Sequence, residues 1–332
     1  MILLGIETSC DETAAAVVKD GIHVLSSVVA SQIAIHNPFG GVVPELASRK
    51  HLETVARVAQ EAIDQSGISE SRIHAVAVTQ GPGLVGALLV GFSFAKAYAY
   101  ARNIPCVGVN HLEGHIHSVF LESRSPEFPF IALLVSGGHT GIYHVTSPTT
   151  CERMGQTRDD AAGEAFDKIA KMLNLGYPGG IVIEKISAKG HPDRIIFPRP
   201  CLGKSDFDFS FSGLKSAVRR YIQTHEICDE DVPDIAAGFQ EAVVDVLVSK
   251  LVQAAHARQC TRIAIVGGVA ANSRLREKIR HAAEMEGLNV FIPSTPLCGD
   301  NAAMIAAVGH HYLQAGQTLQ LTDDVYSRQS DI

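Results

Sequence analysis

Tryptophan is absent from this 332-residue chain and aromatic residues make up only 6% of it, so it offers no obvious row of rings on which nucleic-acid bases would stack. Positive charge is not in excess. Lys and Arg total 28 against 35 for Asp and Glu, a net charge of −7, whereas a nucleic-acid binder usually shows a basic face. A nucleic-acid substrate would need a local basic surface or one supplied by a partner. Paired cysteines are lacking too. Cys10, Cys106, Cys151, Cys201, Cys228, Cys260 and Cys298 are odd in number and none forms a Cys-x-x-Cys pair. That argues against a disulfide framework and predicts a reducing, cytoplasmic setting. No apolar run reaches bilayer-spanning length. The start, Met1-Ile2-Leu3-Leu4-Gly5-Ile6-Glu7, has no basic segment and soon carries an acid, so it does not read as a secretory leader.

What is present is an ordinary globular balance, 46% hydrophobic and 19% charged, at a length that predicts two domains. Residues 2–7 read as an apolar strand, 8–13 as a polar turn and 14–18 as a second strand. Asp20-Gly21 is a hairpin turn into a third strand at 24–30. A helix begins near Pro44, with Leu52, Val55, Val58, Ala59, Ala62 and Ile63 on its apolar face and Gly67 beyond its end. A strand at 75–78, a sharp Gly81-Pro82-Gly83 loop, a small-residue helix at 84–102 and a strand at 105–109 follow. The pattern then restarts: strand 131–135, turn 136–140, strand 141–145. After it come a helix at 163–173, a glycine loop at 176–180 and a Ser/Phe-rich stretch at 205–214. A long helix at 233–258 keeps Ile235, Phe239, Val243, Val246, Leu247 and Leu251 on one face. Strand 263–266 runs into another glycine turn, and a last helix follows Asp300.

Strands alternating with helices give an α/β class. The duplicated strand-turn-strand unit predicts two related lobes, each presenting a turn to an interlobe cleft. The expected division is residues 1–108 plus 302–325 for the N-terminal lobe and 109–301 for a C-terminal lobe carrying the metal and nucleotide loops. The polar chain beyond Gln317 is expected to be loosely attached, with 326–332 a flexible tail.

Phosphate binding needs backbone N–H groups pointing inward with no Cβ in the way. Four turns at element junctions offer this: 8–13, 136–140, 176–180 and 267–272, the last containing Gly268. None matches a P-loop or a dinucleotide fingerprint. His111 and His115 are four apart, so on a helix they share a face and can chelate one metal; the plain alternative is two ordinary histidines. The third ligand this would require is Asp300, whose alternative role is helix capping. Two His and one carboxylate with open positions suit Fe2+ or Zn2+. Asp11 and Glu12 lie in the first turn, where either would serve as a proton acceptor or bond the turn's own N–H groups. Asp167 and Glu184 flank the third glycine loop, placed to accept ribose hydroxyls or to stand as solvated charges. Lys215, Arg219, Arg220, Arg274, Arg276, Lys278 and Arg280 read mostly as solvated faces.

Taken together, six segments resemble the bacterial TsaD family, the tRNA N6-adenosine threonylcarbamoyltransferases formerly labelled O-sialoglycoprotein endopeptidases. They are Gly5-Ile6-Glu7-Thr8-Ser9-Cys10-Asp11-Glu12-Thr13, Asn110-His111-Leu112-Glu113-Gly114-His115, Val135-Ser136-Gly137-Gly138-His139-Thr140, Tyr177-Pro178-Gly179-Gly180, Phe209-Ser210-Phe211-Ser212-Gly213-Leu214-Lys215 and Gly267-Gly268-Val269-Ala270-Ala271-Asn272. The resemblance covers residues 1 to about 315 in order. It implies the two-lobed actin-like ATPase fold of the sugar kinase/actin superfamily. The implied reaction is transfer of threonylcarbamoyl from threonylcarbamoyl-adenylate to N6 of the adenosine 3′-adjacent to the anticodon in tRNAs reading ANN codons. By motif, His111, His115 and Asp300 would hold one divalent metal ion. Leu134, Val135, Ser136, Gly137, Gly138, Asp167, Gly180, Glu184, Gly268 and Asn272 would hold the adenylate-type ligand. Asp11 or Glu12 would take the amine proton. The resemblance also implies tRNA, a TsaB-like paralogue and a TsaE-like ATPase as partners, with a TsaC-like synthase supplying the donor. Two positions depart from the family pattern: Ile181 stands where Pro is usual, and Asp323-Asp324-Val325-Tyr326 makes the tail acidic. The rival readings are a metal-dependent endopeptidase, for which Glu113 is one place out of the His-Glu-x-x-His register, and an ATP-binding regulator of the same fold.

Overall fold

The computed structural model describes residues 1–200 and 206–328, so Cys201, the first residue of the stretch at 205–214 and the last four residues of the tail lie outside the described residues. The chain forms two compact units, Met1–Ser125 with Gly299–Ile332, and Pro126–Cys298. This division gives residues 109–125 and 299–301 to the first unit, where the sequence reading gave them to the second lobe.

In the first unit, strands β1 (Ile2–Glu7), β2 (Glu12–Lys19), β3 (His23–Ser31), β4 (Ala75–Gly81) and β5 (Cys106–Asn110) form one sheet in the order β3-β2-β1-β4-β5. β1 pairs antiparallel with β2 and parallel with β4. The hairpin between β2 and β3 turns on Asp20 and Gly21, both at positive φ, as expected of a tight primed turn. Every residue of β1 is buried, because the sheet is covered on both faces. On one face Leu4 and Ile6 meet Val55, Val58 and Ala62 of α2 (Pro44–Gln65) and Phe92 and Ala95 of α3 (Val85–Arg102). A short α1 (Ile33–His36) precedes them, and α4 (His111–His117) leaves β5 without a break. One predicted face residue of α2 is misplaced. Leu52 is exposed, and His51 is the residue buried there.

The second unit repeats the plan. Strands β6 (Phe130–Val135), β7 (Thr140–Ser147), β8 (Thr150–Gln156), β9 (Arg262–Val266) and β10 (Asn289–Phe291) run in the order β10-β9-β6-β7-β8. Read from the other end this is the strand order of the first sheet, with β6 again antiparallel to one neighbour and parallel to the other. Its helices are α5 (Ala162–Met172), α6 (Gly179–Ser187), α7 (Ser212–Thr224), α8 (Val232–Ala257), α9 (Ser273–Glu286) and α10 (Thr295–Cys298). The α8 face named from sequence is wholly buried, and Phe239 packs edge-on against Phe166 of α5. β8, β10, α7 and most of α9 carry weak patterns and were not predicted as elements.

The chain then returns to the first unit as α11 (Ala302–Gln314), which lies on the second face of the first sheet against Leu3, Ala14, Ala75 and Val107 and also packs on α4. That packing is why the boundary falls where it does. The stretch from Leu319 to Tyr326 is not loose. The Leu319 N–H donates to the Cys106 carbonyl at 2.8 Å, and Lys96 Nζ donates to the carbonyls of Leu321 and Asp323 at 2.7 and 2.9 Å. The Tyr326 N–H reaches the Gln80 carbonyl at 3.1 Å. A Cβ at Gly81 would stand 2.1 Å from the Tyr326 carbonyl oxygen, so only glycine admits the strap there. Its polar sequence hides this anchoring because the contacts run through backbone carbonyls. No helix among the described residues is long and apolar enough to cross a membrane.

Candidate functional site

The metal-ligand candidates are set by helix capping at two places. The Asn110 side chain accepts from the N–H groups of Leu112 and Glu113 at 2.9 and 3.4 Å, which starts α4 at His111 and puts His111 and His115 on one face. Their rings meet edge to face with centroids 4.8 Å apart. At the other end Asn301, not Asp300, caps α11 by accepting from the Met304 N–H at 3.0 Å. The Asp300 carboxylate instead faces the histidines, its Oδ1 3.1 Å from His115 Nε2 and 3.6 Å from His111 Nε2. The three ligand atoms lie within 4.8 Å of one another.

Whether a cation fits is answered by His115. The residue has no solvent exposure, and neither ring nitrogen makes a hydrogen bond. Buried polar atoms in this condition are rare, and an imidazole lone pair facing a second imidazole and a carboxylate is what a divalent ion takes up. His111 is oriented from behind, as metal-binding imidazoles usually are. Its Nδ1 lies 3.0 Å from Glu7 Oε2 and 3.2 Å from Ser9 Oγ. Glu7 is itself fully buried and accepts from the Thr79 hydroxyl at 2.6 Å. Burial lifts the Glu7 carboxyl, but the adjoining His111 outweighs it and holds it below its ordinary value. For His111, burial disfavours the charge, yet Glu7 and Asp300 carry it up to about 9. Glu7 was missed as a functional residue. Its signal was there in the sequence: one acid closing a strand otherwise entirely apolar.

The predicted carboxylates Asp11 and Glu12 lie in the same unit, at the β1–β2 turn, Asp11 buried and Glu12 half-buried. Burial, then the charges of Asp300 and Asp11, push Glu12 up to about 9. A carboxyl at that value holds its proton near neutrality. Burial likewise holds the Cys10 thiol well above its usual range, with Asp11 and Asp300 adding to it, so Cys10 is no thiolate nucleophile. Glu113 turns away from the histidines, its Oε2 bonded to the Tyr312 hydroxyl, and burial pushes its carboxyl up.

In the second unit the glycine turns gather at the carboxyl ends of β6 and β9, the edge where open α/β sheets receive ligands. Leu134 and Val135 end β6 and are fully buried. Ser136 closes the turn through its N–H to the His139 carbonyl at 2.8 Å. Gly137 and Gly138 are exposed, and a Cβ on either would meet nothing within 4 Å. Gly163, at the start of α5, donates its N–H to the Ser136 carbonyl at 3.2 Å. Asp167 Oδ1 accepts the N–H of Gly179 at 2.6 Å, which ties the start of α6 to α5 beside Gly180. Glu184 Oε1 accepts the Ser273 N–H at 2.8 Å at the start of α9. Asn272 caps α9 through Leu275 at 3.0 Å and donates to Gln240 Oε1 at 2.8 Å. Gly267 precedes exposed Gly268 at φ 93°, with its α-carbon packed on β6: a Cβ there would lie 2.4 Å from the Val135 carbonyl. Three helix N-termini and the 136–139 turn are thus bound to one another by the predicted residues themselves. Clustered N–H groups of this kind suit an anion.

The basic residues are only partly the solvated faces expected. Arg274 makes a two-pronged contact with Glu241 at 2.8 and 2.9 Å, and Lys278 reaches Glu241 and Asp245 on α8. Arg276 donates to the Ala270 carbonyl at 2.7 Å, and Lys215 pairs with Asp160 at 2.8 Å. Arg219, Arg220 and Arg280 are exposed. Neighbouring α8 supplies acids that the α9 pattern alone does not reveal.

Comparison with known proteins agrees with these features. The profile of a family described as "TsaD: tRNA N6-adenosine threonylcarbamoyltransferase" matches residues 23–307. A curated protein of that name from Desulforapulum autotrophicum is 61% identical over 329 residues, spanning 99% of each chain. Another from Syntrophus aciditrophicus is 53% identical over 330 residues, 99% of this chain and 97% of its own. Among solved structures, the activator of the 2-hydroxyisocaproyl-CoA dehydratase from Clostridium difficile superposes with a TM-score of 0.55 at 15% identity, covering 95% of this chain and 97% of that one. Component A of the (R)-2-hydroxyglutaryl-CoA dehydratase of Acidaminococcus fermentans gives 0.56 at 15% identity, covering 95% and 99%. At such identities these two speak for the fold alone, which is the actin-like ATPase fold.

Proposed function

The chain belongs to the TsaD family of tRNA N6-adenosine threonylcarbamoyltransferases and is a transferase of tRNA modification, and we propose that its donor is threonylcarbamoyl-adenylate and its acceptor N6 of the adenosine 3′-adjacent to the anticodon in tRNAs reading ANN codons. His115, buried with both ring nitrogens unbonded beside His111 and Asp300, is the observation that supports the metal part of this reading. These three residues would hold one Fe2+ or Zn2+. When bound, such an ion supplies Lewis-acid stabilisation of negative oxygens.

The rest falls to the chain's own groups. Glu7 holds His111 in the tautomer that turns Nε2 outward. The N–H groups of Gly137 and Gly138 and the starts of α5, α6 and α9 would receive the adenylate phosphate, with Gly180, Gly268 and Asn272 shaping the loops around it. Asp167 and Glu184, besides tying those loops, would accept ribose hydroxyls. The exocyclic amine attacks the threonylcarbamoyl carbonyl and AMP leaves with the bond electrons. The amine proton passes to the Asp11 carboxylate, since Glu12 keeps its own. Adenylate is a good leaving group, so most of the rate comes from holding the two reactants in line, an effect of about 7–11 kcal/mol in well-oriented cases.

A chain of net charge −7 calls for help in holding tRNA. A TsaB-like paralogue and a TsaE-like ATPase, with a TsaC-like synthase making the donor, fit that requirement in a cytoplasmic setting. The endopeptidase reading is not favoured: Glu113, the acid within its histidine motif, is one place out of register and is bonded to Tyr312. The test is single-turnover transfer from purified threonylcarbamoyl-adenylate to unmodified tRNA, with the modified nucleoside read by mass spectrometry. The metal role is wrong if protein carrying both His111→Ala and His115→Ala, stripped of metal, keeps the wild-type rate.

A further inference from the structure

Beneath the carboxylate turn lies a buried polar cluster that the reaction as described does not use. The turn's two backbone carbonyls next to the acids, those of Cys10 and Asp11, are both bonded from outside the β1–β2 hairpin. The Asp11 carbonyl accepts the Gln32 N–H at 3.0 Å. The Cys10 carbonyl lies 3.0 Å from Nε2 of His51 on α2. His51 is fully buried on a helix face that otherwise presents Val55, Val58, Ala59, Ala62 and Ile63 to the apolar core. An imidazole in that row loses solvation that an aliphatic side chain would not.

Its hydrogen bonds run in one direction. A carbonyl only accepts, so Nε2 carries the hydrogen, and in the neutral ring Nδ1 must accept. It does so from the Thr13 hydroxyl at 2.8 Å, and Thr13 Oγ1 lies 2.9 Å from Thr54 Oγ1. Burial lowers the imidazole from its ordinary value, which agrees with a neutral ring. The relay from the Thr13 hydroxyl through His51 to the Cys10 carbonyl thus locks one tautomer and aims it at the backbone of the turn.

We propose that His51 is a positioning residue: by gripping the Cys10 carbonyl it fixes where Asp11 and Glu12 stand beside His111 and Asp300. The proposal rests on the reading of Asp11 as proton acceptor. It touches no substrate and no metal ligand, so its loss should slow the chemical step without loosening either ligand.

Three variants decide it. In His51→Gln the amide nitrogen reaches the place of Nε2 and keeps the grip. His51→Leu removes it at similar volume, and Thr13→Val leaves the ring but frees its tautomer. We expect His51→Leu to lose about 30- to 100-fold in kcat, the scale of small misplacements, with KM for threonylcarbamoyl-adenylate and bound-metal content close to wild type. His51→Gln should recover to within about threefold and Thr13→Val should fall between them. Amide hydrogen exchange in the peptide covering residues 8–13 should quicken in His51→Leu and return to normal in His51→Gln. Wild-type kcat in His51→Leu, equal losses in the Gln and Leu variants, or unchanged exchange in the turn would each overturn the proposal. Should the Leu variant not fold, wild-type kcat in Thr13→Val overturns it. Failure of the wild-type protein to transfer at all would instead sink the proposed donor and acceptor, while the exchange comparison still rules on the grip.

Discussion

The turn after β1 and the turn after β6 sit at corresponding places in two sheets of one strand order, yet their chemistry is opposite. The first is walled by Glu7, Asp11 and Glu12 and looks to His111; the second is Ser136, two open glycines and His139, and presents backbone with no acid among its residues. Duplication of a scaffold therefore does not duplicate a site. The strand pairing fixes where a turn is offered. A handful of side chains then decide whether it attracts cations or anions, because buried carboxylates and converging helix N-termini set local potentials of opposite sign.

The comparison breaks most sharply at the first turn. Replacing His111 and His115 by Ala should abolish metal retention, read by elemental analysis, and reduce transfer by more than about 100-fold. Glu7→Gln keeps the shape but weakens the acceptor behind His111, and should cost about 10- to 100-fold in metal affinity while leaving nucleotide binding unchanged. Metal affinity equal to wild type would show that the carboxylate only packs. At the second turn the expected losses are smaller and differently distributed. Gly267→Ala forces a side chain into a left-handed conformation against Val135 and should cost about 1–3 kcal/mol in thermal unfolding. Gly137→Ala meets open space, so stability should move by less than about 0.5 kcal/mol while adenylate affinity falls. If both glycine variants behave alike, the loop's role is not the one given. The smallest effect concerns acid. Glu241 is subject to burial, but Arg274 and Lys278 hold its carboxyl down to about 2 against an ordinary 4.5. Its ion pairs therefore stabilise fully above pH 4.5 and are lost as pH falls through 2. Glu241→Gln should flatten that part of the unfolding-versus-pH curve and leave the metal turn untouched.

Much of this was legible in the residues. The two strand-turn-strand units, the α8 face and the His111–His115 pair come from local signals: apolar runs, a period near 3.6, and an i,i+4 spacing, whereas Asp300 came from the need for a third ligand and from the family resemblance. What escaped depends on partners distant in sequence. His51 stands four residues before Val55 and shares its helix face, but hydropathy favours the adjacent Leu52; the polar turn above α2 is what seats the imidazole inside. Arg274 and Lys278 look solvated until α8 supplies Glu241 and Asp245. The strap beyond Gln317 reads as loose because its anchors are carbonyls, which every sequence has.

The first unit is assembled from both ends of the chain, with the whole second unit synthesised in between. Asp300 therefore emerges from the ribosome only after both imidazoles and the whole second unit, and the strap that packs over Gly81 emerges later still. A prematurely ended chain can contain both imidazoles and every glycine turn and still lack the carboxylate that completes the cation site. If the three residues hold an ion as proposed, its capture waits for the segment that follows the second unit.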